Sequence, residues 1–370
     1  MSRVAVIGRG LWGAAAARHL AQAGAQVTLI GPPEPEGKRT HNGVFASHWD
    51  EGRITRKNAL DPYWVGVSTA AIDRYAEIEA QSGIRFYTET GALMAGGEGF
   101  MAKVHKGRMQ HDVPCALLDQ DALNAKFPFF RFPQGHTGAF EPDRAGHVSP
   151  RRLVAAQTKA AKSLGATLLP ETVQGIDEQK AGVTLTTDQG THRFDYVLVA
   201  AGYNSDTVLG RAPQMDVYAR TIALFELSDA QAARLSAMPT LVYDTPEDPY
   251  LLPPIRYPDG KLYLKLGGDP EDVPLVGSDA IRDWFHLGGN IQVRDHLHAM
   301  VMDLMPDLQV ERVTMDACVT TWTKDRRPEI QWLSDRVAIC AGGNGAGAKC
   351  SDEMGRLGAA MVQQRTGENA

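Results

Sequence analysis

Gly8, Gly10 and Gly13 occupy the first, third and sixth positions of a G-x-G-x-x-G whose variable residues are Arg9, Leu11 and Trp12. In such a turn the first glycine permits the tight reversal and the second lets backbone approach a pyrophosphate. The third lets the following helix pack closely on the strand. The free N–H groups at the helix start, aided by its dipole, favour an anion. The apolar strand Val4-Ala5-Val6-Ile7 precedes the glycines, an amphipathic helix over Ala14–Ala23 follows, and Gln26–Ile30 reads as a second strand. That context predicts a dinucleotide site. The acid that usually closes the second strand and holds the ribose hydroxyls is missing. The chain has Ile30-Gly31-Pro32-Pro33-Glu34 there, so either Glu34 reaches in from a displaced loop or backbone and water replace the carboxylate.

Near the other end, the buried strand Val337–Ala341 runs into Gly342-Gly343-Asn344-Gly345-Ala346-Gly347-Ala348-Lys349, and a helix follows with Ser351, Met354, Leu357 and Met361 on one face. This repeats the logic of the N-terminus and predicts helix N–H groups aimed at a site where negative charge develops. Lys265 falls in the alternating strand pattern of Leu262–Leu266, in otherwise apolar surroundings. Between residues 37 and 50 the chain is polar, irregular and punctuated by glycine, too long for a simple connector. A loop of that kind after the second strand suits flavin adenine dinucleotide (FAD) better than a nicotinamide.

The elements that must position these residues imply a two-lobed α/β protein. A Rossmann-like FAD-binding lobe is expected from residues 1–83, 144–212 and 318–370. A second α+β lobe, built on a mainly antiparallel sheet, is expected from 84–143 and 213–317. Within them the patterns predict a helix over Pro62–Ser82, and a third parallel strand of Ala166–Leu169 with Val173. They also predict the strand Tyr196–Ala201, a short helix capped by Asn204-Ser205, a largely helical run over Ser278–Met305, and the strand Arg312–Thr323. Two lobes suit 370 residues. With 38 basic and 44 acidic residues the net charge is −6, which argues against nucleic-acid binding. No apolar run approaches membrane-spanning length. Four cysteines without C-x-x-C spacing, and a first strand too close to Met1 to leave room for a leader, imply the cytoplasm. Cys340 and Cys350 read as structural.

In these motifs and their order the chain resembles the FAD-dependent amine oxidases of the D-amino-acid oxidase superfamily, in particular the monomeric sarcosine oxidase group. The matching residues are Ser47-His48, the R-x-x-R pair Arg53 and Arg56, and Glu141-Pro142 ahead of a glycine and a helix. Further matches are Lys265-Leu266-Gly267, the C-x-x-T-x-T-x-D of Cys318, Thr321, Thr323 and Asp325, and the run from Gly342 to Lys349. The resemblance implies that Ser47-His48 lies along the isoalloxazine with Arg53 beside it, and that Arg56 and Lys349 clamp a substrate carboxylate. It places Lys265 above the flavin, promoting reaction with O2, and gives Cys318 a thioether to the 8α carbon. Val173 would touch the adenine by its backbone, and Ala201-Gly202 would pack on the cofactor. Asp269 stands where the group has histidine, and Ala346 where it often has a bulkier residue; with Trp49 they imply a reshaped pocket. Asp269 could bind a substrate amine, repel a second carboxylate, or pair with Arg256 or Lys265.

The expected activity is oxidation of a small amino acid or secondary amine bearing an anionic group, N-methylated or cyclic. Hydride leaves the carbon α to a neutral amine for the flavin, the imine hydrolyses, and O2 becomes H2O2. The expected partners are that amine and O2, with the chain a monomer or small homo-oligomer. Two alternatives stay open. One is a flavin dehydrogenase of the same superfamily using another acceptor, which Lys265 opposes. The other is a non-catalytic flavin-binding protein in which Asp269 and Ala346 mark lost amine oxidation.

Overall fold

The computed structural model describes residues 2–368. A six-stranded sheet runs in the order Glu329–Trp332, Val337–Ala341, Tyr196–Val199, Arg3–Ile7, Gln26–Ile30 and Thr167–Leu169. All neighbours are parallel except the terminal hairpin Glu329–Trp332/Val337–Ala341. The β-branched and small apolar residues of these strands are buried, as a sheet covered on both faces requires. From Arg3–Ile7 the chain passes to Gln26–Ile30 on one side, while Tyr196–Val199 lies on the other. The carboxyl ends of the two central strands therefore open on a topological switch point, where open α/β sheets bind ligands.

One face of this sheet carries the helices Leu11–Gln22, Pro150–Ser163 and Ser351–Glu368. Ala14 to Ala17 are buried, and Gly355 faces them so closely that an added Cβ would lie 2.5 Å from the Ala15 Cβ. Buried Asp352 ties the helices together, accepting from Arg18 at 2.9 Å, Gln157 at 2.8 Å and Arg74 at 2.5 Å.

The second sheet has eight strands, in the order Arg312–Thr323, Met215–Leu227, Leu262–Gly267, Tyr250–Arg256, Thr240–Tyr243, Ala92–Gly96, Thr137–Glu141 and Ala116–Leu118. Every pair is antiparallel except Thr240–Tyr243 with Ala92–Gly96. One face packs on Leu297, Val301 and Leu304 of the helix Ile291–Leu304. A further small sheet is formed by Arg53–Thr55, Gly146–Val148 and Tyr87–Glu89.

The structure departs from the sequence reading in four places. The helix expected over Pro62–Ser82 is two helices, Pro62–Ile72 and Tyr75–Ser82. Its break coincides with Arg74, which is drawn to Asp352 and Glu353 of the C-terminal helix. Val173 does not extend the third parallel strand. Pro170, which has no N–H to donate, follows Thr167–Leu169, and Val173–Gln179 starts a separate antiparallel sheet with Gly182–Thr187 and Thr191–Phe194. Asn204 makes no side-chain cap, because a 3-10 turn over Gly202–Asn204 leads straight into Ser205–Val208. The C-terminal helix begins at Ser351, as its pattern predicts, but its first turn carries Asp352 and Glu353 where the sequence reading has free N–H groups facing the site. Its dipole is complemented by its own acids, so the glycine loop before it is what faces the site.

Candidate active site

A cavity of about 1090 Å³ extends from the switch point to the underside of the second sheet. Two glycine loops form its floor. In the first, Gly13 has no room for a side chain, since a Cβ would lie 1.8 Å from the Gly8 carbonyl oxygen. Gly8, at φ +110°, is equally confined, with a Cβ 2.4 Å from the Ala200 oxygen. Gly10 differs: a Cβ there would meet nothing nearer than the His48 Nδ1 at 3.9 Å. Gly10 borders the cavity while Gly13 cements helix to strand. The helix that starts at Leu11 has neither a side-chain cap nor an acid in its first turn, which leaves its leading N–H groups for an anion. Trp12 joins this loop to the second, its indole Nε1 donating to the Gly347 oxygen at 2.8 Å. Gly342, Gly343, Gly345 and Gly347 border the cavity there, as do Ala201, Gly202 and Val173 at the dinucleotide end.

At the far end of the cavity are two cations. Arg56 follows the strand Arg53–Thr55, and buried Lys349 ends the second glycine loop. Among the described residues neither forms an ion pair. Arg56 donates Nη1 to the Asn58 oxygen at 2.7 Å, and its buried Nε has no partner. Burial first, and then the charge of Arg56, push the Lys349 ammonium down to about 7. Two neighbouring cations without an ion pair could hold an anion, since a guanidinium fork suits a carboxylate bidentately.

Lys265 does not reach the cavity wall. It is wholly buried one layer behind, its Nζ donating to the Asp50 carboxylate and, at 2.7 Å, to the Gly52 oxygen. Burial, then the charge of Arg53, lower its pKa well below that of a free lysine. Its Nζ lies 5.9 Å from the ring of Tyr250, which does line the cavity. Asp50 also contacts Arg53 and accepts from the Tyr257 hydroxyl at 3.0 Å and from the Glu51 N–H at 2.7 Å. Arg53 lines the cavity and donates Nη2 to the Cys318 Sγ at 3.3 Å. Asp50 was not singled out by the sequence, where nothing marks it among the polar residues of its loop.

The remaining expected residues fall as follows. Ser47, His48, Asp269 and Cys318 border the cavity, with Trp49 and Ala346. Asp269 pairs with neither Arg256 nor Lys265. It accepts from the Thr221 N–H at 2.9 Å, and burial pushes its carboxyl up to about 6. Arg256 instead faces the Gly260 oxygen and Asp229. Burial, followed by Arg151, Arg9, Arg53 and Lys38, pushes the His48 imidazole down to about 3, so it is neutral at physiological pH. Glu34 is outside the main cavity and holds Arg151 at 2.6 Å.

The family model for FAD-dependent oxidoreductases matches residues 3–361. The chain belongs to that family. This FAD-dependent oxidoreductase is 25% identical over 371 residues to monomeric sarcosine oxidase of Bacillus sp. (strain B-0618), covering 96% of the chain and 90% of the relative. It is 25% identical over 369 residues to N-methyl-L-tryptophan oxidase of Yersinia pestis (strain Pestoides F), covering 97% and 94%. Its fold is similar to that of NikD, an amino acid oxidase of nikkomycin biosynthesis, at TM-score 0.76 and 22% identity over 98% of this chain and 95% of that one. Glycine oxidase from Geobacillus kaustophilus gives TM-score 0.72 at 19% identity, over 98% and 95%. The residues present fit the cofactor. The cavity is long, Gly10 leaves backbone open to it, and the uncapped helix start offers N–H donors. Among the described residues no helix is long and apolar enough to cross a membrane, and no cluster of three or more His, Cys, Asp or Glu could hold a metal.

Proposed function

We propose that the protein oxidises a small amino acid or secondary amine bearing an anionic group, N-methylated or cyclic, to the imine with release of H2O2. The observation that carries this is the pair Arg56 and Lys349, two cations without an acidic partner at one end of a cavity whose other end is built for a dinucleotide. The two sequence relatives support it, since sarcosine and N-methyltryptophan are both N-methyl amino acids. Bound FAD supplies the hydride acceptor and the route by which electrons reach O2.

The chain's own residues would do the rest. Arg56 and Lys349 grip the anionic group and so fix the adjacent C–H bond, converting a bimolecular encounter into an oriented one. Substrate charge also restores the Lys349 proton, because an anion beside a desolvated ammonium favours its charged form. Tyr250, whose hydroxyl burial pushes up to about 12, stays a neutral wall residue. No protein base is required if the amine enters unprotonated. Arg53 would steady Cys318 for thioether attachment, and Lys265 would contribute positive charge from behind the wall for the oxygen half-reaction.

The test is anaerobic titration of the FAD-loaded protein with a panel of N-methyl and cyclic amino acids and their uncharged amides. Bleaching of the flavin by the acids but not the amides, reversed with H2O2 release on admitting air, is the expected result. No bleaching across the panel would refute the reading.

A further inference from the structure

Glu141 ends the strand Thr137–Glu141 of the eight-stranded sheet, yet its side chain leaves that sheet for the loop that carries Arg56. It is 2% exposed. Its two oxygens are divided between neighbouring backbone donors, Oε2 accepting from the Lys57 N–H at 3.0 Å and Oε1 from the Asn58 N–H at 2.8 Å. Asn58 in turn offers its carbonyl oxygen to Arg56 Nη1. The links therefore run from roof sheet to carboxylate, to the Lys57–Asn58 backbone, to the guanidinium. Nη1 of the guanidinium is spent on Asn58, Nε is buried without a partner, and the side chain still lines the cavity.

We propose that Glu141 is the positioning residue of the anion clamp, fixing the Arg56 loop through two backbone N–H groups and supplying the buried negative charge that keeps Arg56 and Lys349 together in one pocket. This rests on the reading of Arg56 and Lys349 as the substrate clamp. Glu141 touches neither cation by hydrogen bond, so it does not consume the site it supports. Its field reaches both: it opposes the loss of charge from Lys349 and from Arg56. The charged and titratable groups acting on Lys349 are Arg56 from the strand end, Glu141 from the roof and Cys350 from its own loop. Of these, Arg56 drives the proton off and Glu141 holds it on; the Cys350 thiol, pushed up to about 12 by burial, stays neutral in this range. A residue that only braced the fold would have no influence on that balance.

The experiment uses the FAD-loaded full chain and acetate as the probe, read as a perturbation of the flavin visible spectrum between pH 5.5 and 9. In the parent protein acetate affinity should fall as pH rises through about 7, where Lys349 loses its proton. Glu141→Gln removes the charge and turns one acceptor into a donor facing an N–H. It should weaken acetate about tenfold at pH 7.5 and move the midpoint roughly one pH unit to the acid side. Glu141→Asp keeps the charge but is too short to span both N–H groups. It should hold the parent midpoint and lose affinity by about threefold or more. An unchanged midpoint in Glu141→Gln, or a loss equal at every pH, would overturn the proposal. If Glu141→Gln does not fold, parent-like affinity in Glu141→Asp overturns it. Arg56→Met and Lys349→Met separate the two readings: if both bind acetate like the parent, the clamp itself is wrong. If both lose binding while Glu141→Gln is unaffected, only the role of Glu141 falls.

Discussion

Lys265→Met is the perturbation with the clearest arithmetic. Lys265, Arg53 and Asp50 form one buried cluster of two cations and one anion, with a net charge of about +1 behind the cavity wall on the second-sheet side. Methionine is close in length and apolar, so the substitution takes the cluster to zero without opening a large void. The stability cost should be modest. Removing one partner of a buried pair usually costs about 3–5 kcal/mol because the other charge is stranded. Here Asp50 keeps Arg53, the Tyr257 hydroxyl and the Glu51 N–H, and a heavily desolvated ammonium disappears. A loss of about 1–2 kcal/mol is expected by that discount. The oxygen half-reaction should suffer more, since a fixed charge at a developing anion is worth about 2.7–4 kcal/mol. Acting from behind Tyr250, Lys265 should fall at the lower end, about 10²-fold. The assay is stopped-flow mixing of anaerobically reduced protein with oxygenated buffer, beside the anaerobic reduction rate with amine. Slowed reoxidation with reduction little changed is expected. Reoxidation within threefold of the parent would refute the charge argument. Asp50→Asn is the control. Lys265 then loses its anion in a dry site and should shed its proton, leaving Arg53 as the cluster's charge. By the same count the cluster keeps about +1, so reoxidation should stay near the parent rate and well above that of Lys265→Met.

Three further outcomes are expected. Cys318→Ala should release yellow colour into the supernatant on acid precipitation, where the parent keeps it in the pellet; colour in the parent's supernatant would make Cys318 a structural thiol. Gly10→Ala should fold with a near-parent melting temperature and bind FAD more weakly, because its Cβ enters the cavity. Gly13→Ala should fail to fold, because its Cβ would lie 1.8 Å from the Gly8 oxygen, so equal FAD affinity in Gly10→Ala or a soluble, stable Gly13→Ala would contradict the division of labour. His48 is held neutral in the fold down to about pH 3 but takes its proton near 6.5 when unfolded. Native stability should therefore drain away as pH falls from 6.5 toward 3, and His48→Gln should flatten that slope in urea midpoints measured at pH 7 and pH 4.5.

The parts of the site legible in the sequence are those whose requirements are local. Gly8, Gly10 and Gly13 lie within six positions because one turn must bend, admit a ligand and pack a helix. Cys318 and Lys349 are legible only through the resemblance, on the motifs C-x-x-T-x-T-x-D and Gly342–Lys349, and both border the cavity. The misread helix boundary at Asp73-Arg74 has the opposite character, since nothing within ten residues announces that Arg74 is drawn to Asp352. The partner of Glu34 is likewise unannounced, since Arg151 lies 117 positions away.

The two acids that set the electrostatics of the site were illegible for the same reason. Asp50 meets Lys265 across 215 positions, and Glu141 meets Asn58 across 83. Each lies in a loop or at a strand end where a carboxylate reads as solvated. Only the folded chain shows that both are buried and that each stands behind a cation. Each acid leaves its neighbourhood with two cations to one carboxylate, Lys265 and Arg53 around Asp50, Arg56 and Lys349 around Glu141. The difference lies in what the acid holds: Asp50 is bonded to Lys265 and contacts Arg53, whereas Glu141 is bonded to backbone and leaves the Arg56 and Lys349 side chains without an ion pair among the described residues. On the proposed reading, those two side chains are the donors an incoming anion would meet.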